Sequence, residues 1–527
     1  MSAPTVIVVG AGAGGITTAA RLAKQGLKVT VLERLDFIGG RCSLIERNGY
    51  RFDQGPFHLN MPEIFHQTFD DLGSSLKEEG IHLLKCEPNH RVWFADNDRV
   101  ELSTNLDKMG REIERYEGKK GFQNFLSFLK ESGRHYDLAV THFVEQDFPS
   151  ILSMFRPKML ASIFALHPFE STYSRVCRYF SSEKLRQAFS FATLYLGISP
   201  FEALGTYSLL QYTELAHGNL YPRGGFQKVL DALASIGRRL GVEFRLGTAV
   251  ESILVSKRRG AHGVRLQSGE ELFADIVVVN ADLIYAYNNL LPPSSLARRL
   301  SKRETSCSCI MFCWSFDKII PELEGDEVFL SDEYSDNFDD ILKRHMLPEK
   351  PSFYVNVPSR IDPSSAPAGK DAVKVIVPLG HLTEDSTDED EIVNFAREFV
   401  FSTIESRTGA RNLRESLLHE SLETPSTWQS KFNLDRGAFT GLSHSFFNSL
   451  SFRPKIKHSH IKGLYFVGAS THPGTGVPLC LSGSKIVSQQ IIRDWNKKQY
   501  SMGKRISEIF WWIFPPLAVS LLLWLFS

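Results

Sequence analysis

Apolar and polar positions divide the chain into runs of distinct period. Val6 to Val9 is an unbroken apolar, β-branched run, as expected of a strand buried on both faces. A glycine-rich turn follows over Gly10-Ala-Gly12-Ala-Gly-Gly15, then a helical pattern to Gly26, then a second strand over Lys28-Val-Thr-Val-Leu-Glu33. Residues 62 to 80 and 107 to 139 have a helical, charge-rich pattern that predicts a solvated cap around a cavity. From Gln146 to Leu215 the pattern becomes greasy, with Phe148, Ile151, Leu152, Phe155, Phe164 and Phe169 interleaved with Arg156 and Lys158. It fits a buried helical pair or a lid that dips into a membrane interface. Val242 to Leu254 and Gly263 to Leu272 alternate like antiparallel strands, and Asp275 to Asn280 is a purely apolar strand. Strand-like runs at Cys309 to Phe316, Ser352 to Val357 and Ala372 to Val377 share a region with a helix at 388 to 407. Gly463 to Pro478 repeats strand and glycine-rich turn, and a small-residue helix runs from Leu481 to Trp495.

These patterns carry chemistry at both ends of the chain. Gly10, Gly12 and Gly15 fit G-x-G-x-x-G: one glycine for the tight turn, one for close approach of a pyrophosphate, one for helix–strand packing. Glu33 closes the second strand, where an acid binds ribose hydroxyls, which favours FAD or NAD over NADP. The turn at Gly468 to Pro478 would set a second helix N-terminus against the far half of one long cofactor. NAD would not need it, so FAD is the expected cofactor. The tight turn at Gly39-Gly40 and the strand-to-turn segment Tyr50 to Pro56 fall where a flavin ring would pass. Arg223 precedes a helix after Gly224-Gly225 and suits a flavin edge, a phosphate or a plain surface loop; Val250 falls where a strand edge meets adenine.

With 527 residues the chain has room for two or three domains, and its 60 Lys+Arg balance 60 Asp+Glu, leaving no global field for nucleic acid. The seven cysteines form no CxxC pair; Cys307, Cys309 and Cys313 alternate as in a buried strand, without a histidine to complete a metal set. The lack of a disulfide framework suits a reducing, cytosol-facing compartment. Ile509 to Phe526 is uncharged and apolar, preceded by Lys497, Lys498, Lys504 and Arg505 and interrupted by Pro515-Pro516. At ~1.5 Å per residue a helix there spans about 27 Å, enough for a thin bilayer such as the endoplasmic reticulum, with the basic flank cytosolic. A re-entrant or in-plane anchor and a buried helix are the other readings.

Taken together, Leu32–Cys42, Arg51–Pro56, Gly205–Leu215, Asn280–Asp282 with Tyr285–Pro292, Ser352–Arg360 and Gly468–Pro478 resemble the flavoprotein amine-oxidase and phytoene-desaturase superfamily. Within it the chain is most similar to fungal carotenoid desaturases of the bacterial-like type. The resemblance implies an α/β fold: a Rossmann-like FAD-binding domain with a mixed α+β substrate domain, a helical lid and a C-terminal hydrophobic tail helix. The FAD-binding domain would comprise residues 1–95, 216–300 and 456–500, the lid 96–215, the substrate domain 301–455 and the anchor 506–527. The resemblance also implies noncovalent FAD, a linear, apolar isoprenoid substrate drawn from the lipid bilayer, most simply phytoene, and reoxidation by a quinone or molecular oxygen. By that pattern Gly10, Gly12, Gly15 and Glu33 hold the ADP part, and Arg34 is a further cofactor-binding candidate. Gly39, Gly40, Arg41 and Asp53, Gly55 and Pro56 lie toward the flavin, with Gly468, Ala469, Thr475, Gly476 and Val477 on its other side. One departure stands out. Where many relatives carry an aliphatic run, this chain has Phe57-His58-Leu59-Asn60-Met61, so Phe57, His58 and Asn60 are candidate substrate contacts and a functionalised isoprenoid is an alternative.

Desaturation removes a hydride and a proton, so the expected tasks are alignment, exclusion of water and stabilisation of a transient cation. Glu214, Arg223 and His472 are the candidates for proton handling, and no metal set is expected. A tail-anchored amine oxidase shares the topology, but the covalent flavin link usual there needs a cysteine ahead of the last glycine-rich turn, and Cys480 lies past it. An escort protein that has lost its cofactor is disfavoured by the intact fingerprint.

Overall fold

A computed structural model describes residues 3–257, 260–384 and 388–497. The expected hydrophobic tail at Ile509 to Phe526 lies outside the described residues, among which no helix is long and apolar enough to cross a membrane.

Five parallel strands form the cofactor-side sheet, in the order Leu464–Phe466, Ile276–Val279, Thr5–Val9, Lys28–Leu32 and Glu243–Arg245. Val6 pairs with Ile276 on one side and Val29 on the other, so the first strand is central. Its apolar run follows from burial of both faces. Val6 and Val8 pack under the helices Ala13–Lys24 and Gln227–Arg239 and a helix over 477–497. Ile7 and Val9 pack against the antiparallel sheet of Val250–Ser256, Gly260–Leu266 and Glu271–Phe273. The single strand expected over Val242 to Leu254 is therefore two. Glu243–Arg245 joins the parallel sheet and Val250–Ser256 the antiparallel one, because the chain turns at Leu246 to Ala249.

The second body is a seven-stranded sheet ordered Leu417–Glu423, Ser308–Phe316, Ala372–Leu379, Phe353–Asn356, Asp326–Phe329, His90–Trp93, Arg99–Leu102. Its outer face buries Phe312, Trp314, Val375 and Val355 under the helix Glu389–Thr408. Its inner face turns Val328, Leu330, Tyr354 and Ile376 toward the lid. Cys309 and Cys313 occupy one face of the strand Ser308–Phe316, against Tyr50 and Phe52. Residues 90–93, expected in the first FAD-binding segment, belong instead to this sheet and pair in parallel with Asp326–Phe329. The lid is led by the long helix Leu106–Ala139, which bends at Gly118 (φ 64). The helix expected over 62 to 80 stops at Leu72, where Gly73 adopts φ 85.

Candidate functional site

One continuous cavity opens along the C-terminal ends of the parallel strands and extends between the seven-stranded sheet and the lid. Gly10, Gly12, Glu33, Gly39, Gly40, Arg41, Gly55, Pro56, Val250, Gly468, Thr475, Gly476 and Val477 all line it, so segments far apart in sequence are brought to one cleft. Arg34 lies at its rim and donates to the carbonyls of Ser430 and Lys431.

The cleft fits a dinucleotide for local reasons. The helix Ala13–Lys24 starts at Gly12 with no side-chain cap and no acid in its first turn, so its leading N–H groups are free toward the cavity. A Cβ on Gly14 would stand 2.7 Å from Asn280 Oδ1, so no side chain can intrude there. Gly15 faces away from the cavity, against the Gly10 carbonyl, as the third glycine of the fingerprint should. Glu33 is buried, its carboxylate accepting from the N–H groups of Ala11 (2.7 Å) and Leu35 (2.9 Å). Thr248, Val250 and Gln267 complete that end.

The opposite wall, Gly468 to Cys480, is held from behind by two residues that were not among the sequence candidates. Arg453 is fully buried and donates to the carbonyls of Leu442, Ser443, Asn448, Ala469 and Thr471 at 2.7–3.3 Å. Burial lowers its pKa to about 10. The His444 imidazole is held neutral by burial and by Arg453, and its Nε2 accepts from the Thr475 N–H at 3.1 Å. Nothing in the local pattern of Ser-Phe-Arg-Pro-Lys singles out this arginine; its partners are loops distant in sequence. Asn280 could have been noticed as the one polar residue ending an apolar strand. Its Nδ2 donates to the Gly10 carbonyl at 3.3 Å, tying the first glycine turn to the end of the strand Ile276–Val279.

Besides Gly15, four candidates sit elsewhere. Asp53 lies behind the cavity, where its carboxylate accepts from the Phe226 N–H (2.6 Å) and Tyr221 Oη (2.9 Å) and so anchors the segment leading into the helix Gln227–Arg239. Burial raises its pKa against the pull of Lys374. Arg223 is exposed and does not reach the cavity. His472 is buried, its Nε2 facing the carbonyls of Gln146 (2.7 Å) and Phe143 (3.1 Å), which pins the lid to the cofactor wall. Burial lowers its pKa to about 4. Glu214 lies one layer back, 3.3 Å from His90 Nε2.

Beyond Pro56 the cavity becomes an apolar arm lined by Phe57, Phe191, Leu194, Leu196, Val328, Leu330, Phe338 and Ile341. His58 and Asn60 line it as well. His58 finds its partner in the protein: Nε2 lies 2.9 Å from Asp326 Oδ2. Asp326 is fully buried, and its other oxygen accepts from Tyr354 Oη and from Asn356 Nδ2 (2.9 Å). Although burial disfavours its charge, His58 and His90 hold it below the usual carboxylate range. Ligand atoms of His58, Cys86 and Asp326 fall within 4.8 Å of one another. Burial and Asp326 raise the pKa of the Cys86 thiol, and the three groups form one buried polar cluster under the arm.

A parallel sheet with a pyrophosphate turn, joined to a sheet-and-lid substrate body, is the architecture of flavoprotein oxidoreductases. The chain belongs to the flavin containing amine oxidoreductase family, whose model matches residues 13–492, and FAD is its cofactor. It is 55% identical over 510 residues to a phytoene desaturase of Fusarium fujikuroi, covering 93% of this chain and 89% of that one. It is 50% identical over 505 residues to a phytoene desaturase of Neurospora crassa, covering 93% and 85%. Among solved structures, an oxidoreductase from Methanosarcina mazei shares the fold with a TM-score of 0.60 at 17% identity, over 92% of this chain and 100% of that one.

Proposed function

We propose that the chain is an FAD-dependent desaturase of carotenoid biosynthesis that removes hydrogen from phytoene and so extends its conjugation. The observation that carries the reading is the apolar arm continuous with the cofactor cleft, in a chain 55% identical to a phytoene desaturase. Bound in the cleft, FAD would supply the oxidising power for removal of a hydride from an allylic carbon. The free N–H groups of residues 12–14 would hold its pyrophosphate and Glu33 its ribose. Gly40, Arg41, Pro56 and Thr475 to Val477 would flank its flavin. Phe57, stacked 5.0 Å from Tyr354, and the leucines of the arm align the chain and exclude water. His58 is held from behind by Asp326 through Nε2. A quinone or molecular oxygen is the proposed terminal acceptor.

The reading includes a membrane, with the catalytic body on the cytosolic side of the endoplasmic reticulum and residues 506–527 as anchor. An exposed apolar patch on the lid supports it: Leu152, Phe164 and Phe169 are 80%, 79% and 84% exposed, and Phe447 lies in the same region at 72%. Inserting one such side chain is worth about 1.5–3 kcal/mol. Purified protein should be yellow, and with phytoene-loaded vesicles it should generate the visible bands of a conjugated polyene. A colourless protein, or peroxide release from amines with no polyene, would overturn the reading. Deleting 506–527 and replacing Leu152, Phe164 and Phe169 by serine should each weaken vesicle flotation; unchanged flotation of the combined variant removes the membrane from the proposal.

A further inference from the structure

The apolar arm contains a group that desaturation of a hydrocarbon would use and that an inert tunnel would exclude. His58 follows directly on the Pro56-Phe57 turn, at the junction of cofactor cleft and arm. Its Nε2 is fixed to Asp326, and because that carboxylate is ionised and can only accept, Nε2 carries the proton. Nδ1 then presents a lone pair. Among the described residues it has no hydrogen-bond partner, and it keeps access to the cavity that His58 lines. Asp326 is itself held by Tyr354 and Asn356 on the floor strands, so the imidazole is oriented from a rigid sheet.

We propose that His58, oriented by Asp326, is the base that takes the proton in each desaturation. The inference rests on the desaturase reading. Once the hydride has left an allylic carbon, the C–H bond on the neighbouring carbon breaks. Its electron pair becomes the new C=C bond and its proton passes to Nδ1. The imidazolium that forms stays hydrogen-bonded to Asp326, as in a histidine–aspartate pair where the acid fixes tautomer and charge. His58 is the catalytic residue and Asp326 a positioning residue. The His90 ring lies 5.8 Å from His58, with Glu214 3.3 Å behind it. Burial opposes charge on His90, but Glu214 prevails and raises its pKa, so it is able to carry a proton.

The decisive pair of variants is His58→Gln and His58→Leu. Glutamine keeps the hydrogen bond to Asp326 and the packing but has no basic lone pair; leucine removes both. General-base catalysis is typically worth ~10²–10⁴-fold, so each variant should lose about 10²-fold in single-turnover rate on phytoene. FAD absorbance and quenching by substrate should be unchanged. Wild type should lose rate on the acid side with a slope of one proton, and the variants should not. The titratable groups around His58 and its partner are Asp326, Cys86, His90, Tyr354 and Lys374, and all remain in both variants. A second readout needs no turnover. A conjugated product polyene bound in the arm should shift its visible band on acidification in wild type, as charge arrives at Nδ1, and not in His58→Gln. If His58→Gln restores the rate and the acid limb, His58 is structural and the proposal falls. If wild type itself leaves phytoene unchanged, the desaturase reading falls first, and the polyene titration still reports on His58.

Discussion

Arg453 is the residue whose removal should most clearly separate cofactor binding from folding. Its guanidinium spends all of its hydrogen bonds on five backbone carbonyls, two of them on the cofactor wall at Ala469 and Thr471. Among the described residues no carboxylate pairs with it, and burial lowers its pKa from the usual guanidinium range to about 10. Leaving a buried carbonyl unpaired costs ~1–3 kcal/mol. Arg453→Met should therefore cost at least ~5 kcal/mol, a large part of the ~5–15 kcal/mol that holds a domain together. Lysine offers three donors, enough for the Ala469 side or the loop side but not both. Arg453→Lys should fold and bind FAD about 10–30-fold more weakly, the equivalent of ~1.4–2 kcal/mol. The assay is FAD fluorescence recovery during guanidinium titration, beside far-ultraviolet circular dichroism. In wild type the two transitions should coincide; in Arg453→Lys, FAD should leave at lower denaturant than helix is lost. If Arg453→Lys binds FAD within twofold of wild type and both transitions coincide, Arg453 does not hold the wall.

The lid and cleft give further tests. The folded His472 pKa of about 4 is below its ordinary 6.5, so its contribution is complete above pH 6.5 and is lost as pH falls toward 4. The slope is ~1.4 kcal/mol per pH unit for one proton. Urea unfolding between about pH 6 and 4.5, inside that window, should include this slope, and His472→Gln should flatten it by one proton. Gly468 adopts φ +108, and a Cβ there would stand 2.8 Å from Asn280 Oδ1. Gly468→Ala should purify colourless, while Gly26→Ala, with φ +83 but nothing within 4 Å, should stay yellow. Leu194→Trp fills part of the arm, and pigment analysis after co-expression with a phytoene-producing pathway should show products with fewer conjugated double bonds.

The cofactor half was legible because its rules are local. An apolar run, a glycine spacing and an acid at a strand end are all read within thirty residues, and the same logic picked out Gly468, Thr475, Gly476 and Val477, which line the same cavity. The reacting end of the cavity was not. His90–Trp93 and Asp326–Phe329 are strands in which His90, Arg91, Asp326 and Glu327 are buried, a pattern that reads as polar loop. They are strands because the polar groups satisfy one another across the sheet: Arg91 with Glu327 at 3.3 Å, Trp93 Nε1 with Glu327 at 2.6 Å, His58 with Asp326 at 2.9 Å. Such pairings lie hundreds of positions apart and leave no periodicity. Asp53 misled for the opposite reason. Its neighbours Gly55 and Pro56 do face the cleft, but alternation along the strand Tyr50–Asp53 turns its own side chain toward Phe226 and Tyr221.

The parallel sheet also sets an order of events during synthesis. Its edge strand Leu464–Phe466 pairs with Ile276–Val279, which the ribosome completes roughly 185 residues earlier. At ~5–20 residues per second that is an interval of roughly 10–40 s. Throughout it, one side of the strand Ile276–Val279 has no partner and the wall from Gly468 to Cys480 does not exist. The first nucleotide turn waits, assembled but one-sided, so the nascent chain has no closed cleft in which to retain cofactor. Loading FAD is thus a late step, coupled to the end of translation, and any nascent chain stalled before residue 464 exposes an unpaired β-edge to the chaperones that meet it.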